Sequence, residues 1–137
     1  MLGLAEAIQY FHSMGVVLYR RFGLANVFLD SDLRPKICCL CSTSRFLLEK
    51  PWKEWFVLED NILTFGCLLY ELYSGVDGSL FTKEDRRCAI GLITNHPSVP
   101  EIPEFVWQLI ERCCAEDPKR RPSMDEVVQE MERWNIE

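Results

Sequence analysis

Leu4, Ala7, Ile8 and Phe11 recur at helical spacing near the start of the chain, so residues 2–13 read as an amphipathic helix that stops at Gly15. Val16 to Tyr19 follows as a short apolar run. Val27-Phe28-Leu29 and Lys36-Ile37-Cys38 predict two short strands joined by the polar turn Asp30-Ser31-Asp32, with Pro35 at the second strand's start. Residues 42–58 show no clear period. From Glu59 the pattern changes: Ile62, Leu63, Phe65, Leu68, Leu69, Tyr70 and Leu72 are apolar on nearly every side. That predicts a helix over 60–73 buried all round, the central post of a helical domain, with Phe65, Leu68 and Leu69 touching the first helix and the last two. Gly75, Asp77 and Gly78 end it.

Thr82 and Asp85 form a capping pair that opens a helix through Ile93, and Pro97, Pro100 and Pro103 mark a loop. Val106, Leu109, Ile110 and Cys113 make the next helical stripe, which Asp117-Pro118 stops. Ser123 and Glu126 have the S-x-x-E spacing of a capping box before a last helix, whose inner face is Val127, Val128, Met131 and Trp134. There are no internal repeats or low-complexity linkers. The fold class is mainly α with one small β-hairpin, as a single domain over residues 1–137.

Composition narrows the function more than the fold. The chain has 137 residues, 48% hydrophobic and 26% charged, and a net charge of −6. This balance, with no basic run, argues against nucleic acid or an anionic membrane surface as the partner. No stretch approaches the roughly 18 consecutive apolar residues that a membrane span needs. Met1 to Tyr10 lacks a basic leader and carries Glu6, so no signal peptide is expected. Seven cysteines are an odd number without a disulfide-framework spacing, and a reducing, cytoplasmic setting is the natural reading. Cys38, Cys39 and Cys41 invite a zinc site with Cys113 and Cys114, but structural zinc usually comes from paired C-x₂₋₄-C or C…H-x₃₋₅-H arrangements, neither His12 nor His96 lies at such a spacing, and no metal is expected.

The segment Tyr19-Arg20-Arg21-Phe22-Gly23-Leu24-Ala25-Asn26 has the spacing of H-R-D-L-x-x-x-N, the catalytic loop of protein kinases. Further stretches fall in order around it. Leu4-Ala5 through Tyr10-Phe11-His12-Ser13 is similar to that family's helix before the loop. Asn26-Val27-Phe28-Leu29-Asp30 is similar to its Asn-Ile-Leu-Leu-Asp tract. Phe65-Gly66-x-Leu68-Leu69-Tyr70-Glu71-Leu72 is similar to its central helix. Leu109-Ile110-x-x-Cys113 followed by Asp117-Pro118-x-x-Arg121-Pro122-Ser123 is similar to its closing segment. The chain thus resembles the C-terminal lobe of eukaryotic protein kinases, tyrosine-kinase-like members in particular.

The same resemblance marks what has been replaced. The family's catalytic aspartate orients the substrate hydroxyl and accepts its proton. Arg21 stands in its place, always protonated and without an acceptor atom. Gly23 stands where a loop lysine would steady the transferred phosphate. Cys39 stands for the magnesium-binding aspartate of D-F-G, and a thiol is a poor ligand for a hard cation. Asn26 alone keeps the identity of a cofactor-binding position. The aspartate that braces the catalytic loop aligns with Asn61. The sequence holds no Gly-rich loop, strand lysine or Ala-Pro-Glu, and the stretch between Cys41 and Asn61 is about half the usual length. The resemblance therefore implies a lobe without its nucleotide-binding partner lobe, no intact catalytic residue, and no cofactor, although ATP and magnesium belong to the family.

Each of these residues also has a plainer reading. Arg20 serves as a structural arginine, Arg21 as a solvated loop arginine or a phosphate binder, and Tyr19 as a core aromatic. His12 serves as a hydrogen-bonded structural histidine. Cys39 and Cys41 are inert thiols if buried and redox-sensitive if exposed near Arg21. Arg121, which in the family pairs with the Ala-Pro-Glu glutamate, has Glu54 or Glu59 as its substitute partner. The functional expectation is a kinase-like module, catalytically degenerate, that acts by binding protein. The alternative is a fragment of a protein kinase, or one completed in trans, that transfers phosphate from ATP to protein.

Overall fold

The computed structural model describes residues 1–18, 24–38, 58–75 and 101–134. The expected helix from Thr82 to Ile93, the loop residues Tyr19 to Gly23 and the stretch from Cys39 to Val57 lie outside the described residues. Helix α1 (Leu2–Ser13) has the predicted bounds, but its buried face is Leu4, Ala5 and Ile8, with Ala7 only at the margin. Strands β1 (Val27–Leu29) and β2 (Pro35–Ile37) form an antiparallel hairpin in which Val27 faces Ile37 and Leu29 faces Pro35. The second strand thus starts at Pro35, as expected, and ends at Ile37, one residue short of Cys38. The Asp30 N–H donates to Arg34 O and the Cys38 N–H to Asn26 O. The ladder's alternation then turns position 35 outward, where the N–H that proline lacks would have had no partner. At the turn, the Asp30 carboxylate accepts the N–H groups of Asp32 and Arg34, and the Arg34 bond above all holds its pKa below the usual range.

Helix α2 (Leu58–Ser74) is the buried post that the pattern implied: every residue from Asn61 to Tyr70 is buried. It ends where Gly75 takes φ +67 and donates its N–H to Glu71 O, a left-handed stop that glycine adopts without strain. Helix α3 (Glu104–Cys113) buries Val106, Trp107, Leu109, Ile110 and Cys113. A 3-10 turn (Pro118–Arg120) follows, opened by the Asp117 carboxylate on the Lys119 N–H. Helix α4 (Met124–Glu132) begins with the expected capping box, in which the Ser123 hydroxyl accepts the Glu126 N–H and the Glu126 carboxylate accepts the Ser123 N–H. Such a cap contributes about 1 kcal/mol. Trp134 is only half-buried, edge-on to Phe105 at 5.0 Å.

The helices pack in pairs, α1 along α4 and α2 along α3, with a lighter contact between α1 and α2. The core runs through all four and takes in Leu18 and Ile102 from the connecting segments. Arg112 of α3 and Glu130 of α4 form an ion pair across the surface, too exposed to stabilise much. Among the described residues the molecule is a helical domain with one small hairpin.

Candidate functional site

The loop that resembles a catalytic loop is fastened at both ends. At its head, Leu18 is buried within the core, and the chain cannot leave it there with its peptide groups unpaired. Asn61, in the first turns of α2 and 2% exposed, supplies both partners. Its Oδ1 accepts the Leu18 N–H at 2.8 Å and its Nδ2 donates to Leu18 O at 2.9 Å. A carboxylate could accept from the N–H but could not donate to the carbonyl. The amide at position 61 is thus matched to one residue's donor and acceptor together, and these bonds fix which way the carboxamide faces.

The orientation of Asn61 in turn sets a histidine. His12 Nε2 lies 3.0 Å from Asn61 Oδ1, an atom that only accepts, so Nε2 carries the proton. Burial pushes the His12 pKa below its ordinary value of 6.5; the Asn61 bond and the charges of Asp125 and Glu59 oppose that without overcoming it. His12 is the hydrogen-bonded structural histidine that its setting suggested. It also lines a cleft of about 330 Å³ between the end of α1, the start of α2 and the start of α4, together with Gln9, Glu59, Arg121 and Asp125. Gln9 Nε2 crosses from α1 to α4 by donating to Asp125 Oδ1 at 2.8 Å.

At the loop's other end, Leu24–Asn26 forms a 3-10 turn leading into β1. Asn26 O accepts the Cys38 N–H at 2.8 Å, and Asn26 Nδ2 donates to Cys38 O at 3.4 Å. The hairpin register therefore brings Asn26 beside the peptide that leads to Cys39. Arg21, Gly23 and Cys39 themselves lie outside the described residues, so of the replaced positions only the flanks can be located.

Arg121 meets Glu59 through its main chain. Its Nε donates to Ala115 O and its Nη1 to Glu59 O, each at 2.9 Å. The contact to Glu59 is with the backbone carbonyl and not the side chain; Glu54 lies outside the described residues. A guanidinium that ties the end of α3 to the first turn of α2 holds two elements without needing a buried carboxylate, and charged donors of this kind contribute about 1.5–3 kcal/mol each.

Cys38 is exposed on the hairpin, whereas Cys67, Cys113 and Cys114 are buried, and none of the four is in a disulfide. Burial pushes the Cys113 thiol up to about 12. A hydrogen bond with Cys67, followed by burial, raises Cys114 as well. These are protonated, unreactive thiols at neutral pH. Among the described residues no group of three or more His, Cys, Asp or Glu side chains could hold a metal ion. Residue spacing alone missed the Leu18–Asn61–His12 chain. Its signal was an asparagine at the head of the long apolar run of α2, which must find partners if it is buried.

Comparison with known proteins gives the chain its relatives. No protein-family model matches it. It is 33% identical over 79 residues, 56% of this chain and 9% of the relative, to the tyrosine-protein kinase transforming protein Fps of Fujinami sarcoma virus. It is 26% identical to a protein kinase and PP2C-like domain-containing protein of Arabidopsis thaliana, covering 96% of this chain and 28% of that protein. It is 24% identical to the inactive serine/threonine-protein kinase BKN2 of the same plant, covering 92% of this chain and 48% of that protein. The chain is similar to protein kinases over nearly its whole length, and it spans only 9% to 48% of these relatives. The alignment to the PP2C-like protein runs over 183 positions although the chain has 137 residues, so over the matched region that relative has residues this chain lacks.

Proposed function

We propose that the chain is a protein-kinase-like module, equivalent to a C-terminal lobe, that has lost phosphoryl transfer and works by binding another protein. The observation that carries this reading is a contrast. The bracing position at the loop's head, Asn61 where the family has aspartate, still bonds both peptide groups of Leu18, while the positions that would do chemistry are Arg21, Gly23 and Cys39. A segment anchored at Leu18 and Asn26 but lacking the family's base, loop lysine and metal-binding aspartate keeps a scaffolding use and loses a catalytic one. Phosphoryl transfer rests almost wholly on positioning and charge stabilisation, and each of these replacements removes part of that. The likeness to a relative named as inactive supports the reading.

A protein partner is favoured over other classes. Phe28, Leu29 and Leu33 stand 56%, 63% and 75% exposed on the hairpin, large apolar side chains available for contact with a partner. The net charge of −6 disfavours nucleic acid. No helix among the described residues is long and apolar enough to cross a membrane. The buried thiols fit a reducing, cytoplasmic setting.

The reading is tested with nucleotide and magnesium. A ligand at about a hundred times its dissociation constant stabilises a fold by about 2.7 kcal/mol. The expected result is no change in melting temperature with magnesium and ATP, and no radiolabel transferred to protein above a heat-killed control. A clear melting shift would show that Asn26 and its surroundings still hold nucleotide. Label transfer would favour the alternative, a functional piece of a longer kinase.

A further inference from the structure

The hairpin has two edges, and the fold treats them differently. The Asp30 N–H bonds Arg34 O and the Cys38 N–H bonds Asn26 O, so the ladder's alternation turns the peptide groups of Phe28 and Lys36 toward each other. Those of residues 27, 29, 35 and 37 then face outward. On the β2 side, Pro35 removes one of the two outward donors, and α1 lies against the strand. A Cβ added at Gly3 of α1 would come within 2.8 Å of Pro35 Cγ. On the β1 side, the N–H and C=O of Val27 and of Leu29 point away from β2, and none of the four has a hydrogen bond among the described residues. Neither a charge nor a proline within Val27-Phe28-Leu29 guards that edge.

We propose that the outer edge of β1 receives an extended strand of a partner protein, which joins the hairpin as a third strand. This mode of pairing rests on the reading of the chain as a protein-binding module and gives the partner its form. Charge complementarity selects the occupant. Positive N–H and negative C=O groups alternate along the edge, with Val27 and Leu29 about 7 Å apart, and the backbone of another extended chain presents the matching alternation. Val27 packs toward the core, whereas Phe28 stands exposed on the opposite face beside Lys36. The incoming strand therefore bonds at residues 27 and 29, and a β-branched or aromatic side chain opposite Phe28 is favoured. A second copy suits the edge less well. Pairing β1 with its own twin about a twofold axis perpendicular to the sheet keeps both cores on one face, so two domains of charge −6 would stand side by side.

The probe is a cyclised β-hairpin peptide whose free strand reads Thr-Val-Thr-Val-Thr, held extended so that little ordering is needed on binding. A twin carries N-methyl groups on that strand's outward amides. Titrated into the full chain and followed by NMR, the peptide is expected to move the Val27 and Leu29 amide protons downfield. At about nine times its dissociation constant it should slow their exchange about tenfold. The Phe28 and Asp30 amides, already bonded within the hairpin, are expected to keep their exchange rates. The N-methyl twin, and the variant Leu29→Pro in which an outward donor is lost, should each weaken binding about tenfold. Should the proline variant not fold, the twin alone decides. Equal binding by the twin overturns the proposal, as do shifts that avoid Val27 and Leu29, or no shift at about 1 mM peptide. Shifts at these two amides that grow with protein concentration alone would name a second copy as the occupant and overturn it too. Nucleotide and magnesium probe the other reading separately: label transfer or a melting shift overturns the non-catalytic module whatever the edge does, and an edge that ignores the peptide leaves that module standing.

Discussion

Asn61→Leu is expected to cost about 3–5 kcal/mol, a large share of the roughly 5–15 kcal/mol that a domain of this kind has in total. Leucine has the same branched skeleton as asparagine, so no cavity is left, and the loss comes from the missing hydrogen bonds and the bulkier methyl groups. Both peptide groups of the buried Leu18 lose their partners, and so does His12 Nε2. Each unsatisfied buried group costs about 1–3 kcal/mol. Thr64 gives the control: it is the other buried polar residue of the described core, and its hydroxyl donates to Asp60 O, a carbonyl within its own helix. Thr64→Val should therefore cost about 1 kcal/mol or less, because that carbonyl keeps its helical partner. Urea denaturation of both variants checks the pair. A loss at Asn61 no larger than that at Thr64 would mean that the brace contributes little to holding the loop.

Gly66→Ala is expected to lower stability by about 2 kcal/mol, although alanine is the better helix former by about 1 kcal/mol. The reason is the closeness of α2 to α3. A Cβ added at Gly66 would lie 2.7 Å from the Cβ of Cys113 and 2.7 Å from the Sγ of Cys114. The Cys114 sulfur can rotate aside, but a Cβ is fixed to its backbone, so the helices must separate. Overpacking of this kind costs about 1–3 kcal/mol. Combining Gly66→Ala with Cys114→Ala relieves one of the two contacts, and part of the loss should be recovered. Equilibrium unfolding that finds the single variant more stable than the parent would show that the α2–α3 contact yields easily.

The sequence determined the elements and their order. The apolar positions of residues 2–13 and the all-round apolar run after Glu59 could each bury their surface only as a helix, because hydrophobic period is a local property. Ser123 and Glu126 announced the start of α4 for the same reason, since a capping box is made within four residues. The likeness to protein kinases was equally legible, as short motifs in order. Partnerships across the chain were not. The spacing could make Asn61 a brace only by analogy; that its amide meets Leu18 and His12, 43 and 49 residues away, was decided by how α1 and α2 pack. Glu59 was a candidate partner for Arg121, yet the guanidinium takes its carbonyl, because the turn after α3 brings the arginine to the backbone of α2's first turn and a bond of that sort leaves no trace in side-chain identity. The pairing of α1 with α4 and α2 with α3 belongs to the tertiary structure too. An amphipathic stripe says that a helix must be covered and does not say by what; the choice falls to shape, such as the missing Cβ of Gly66 that lets α3 come close.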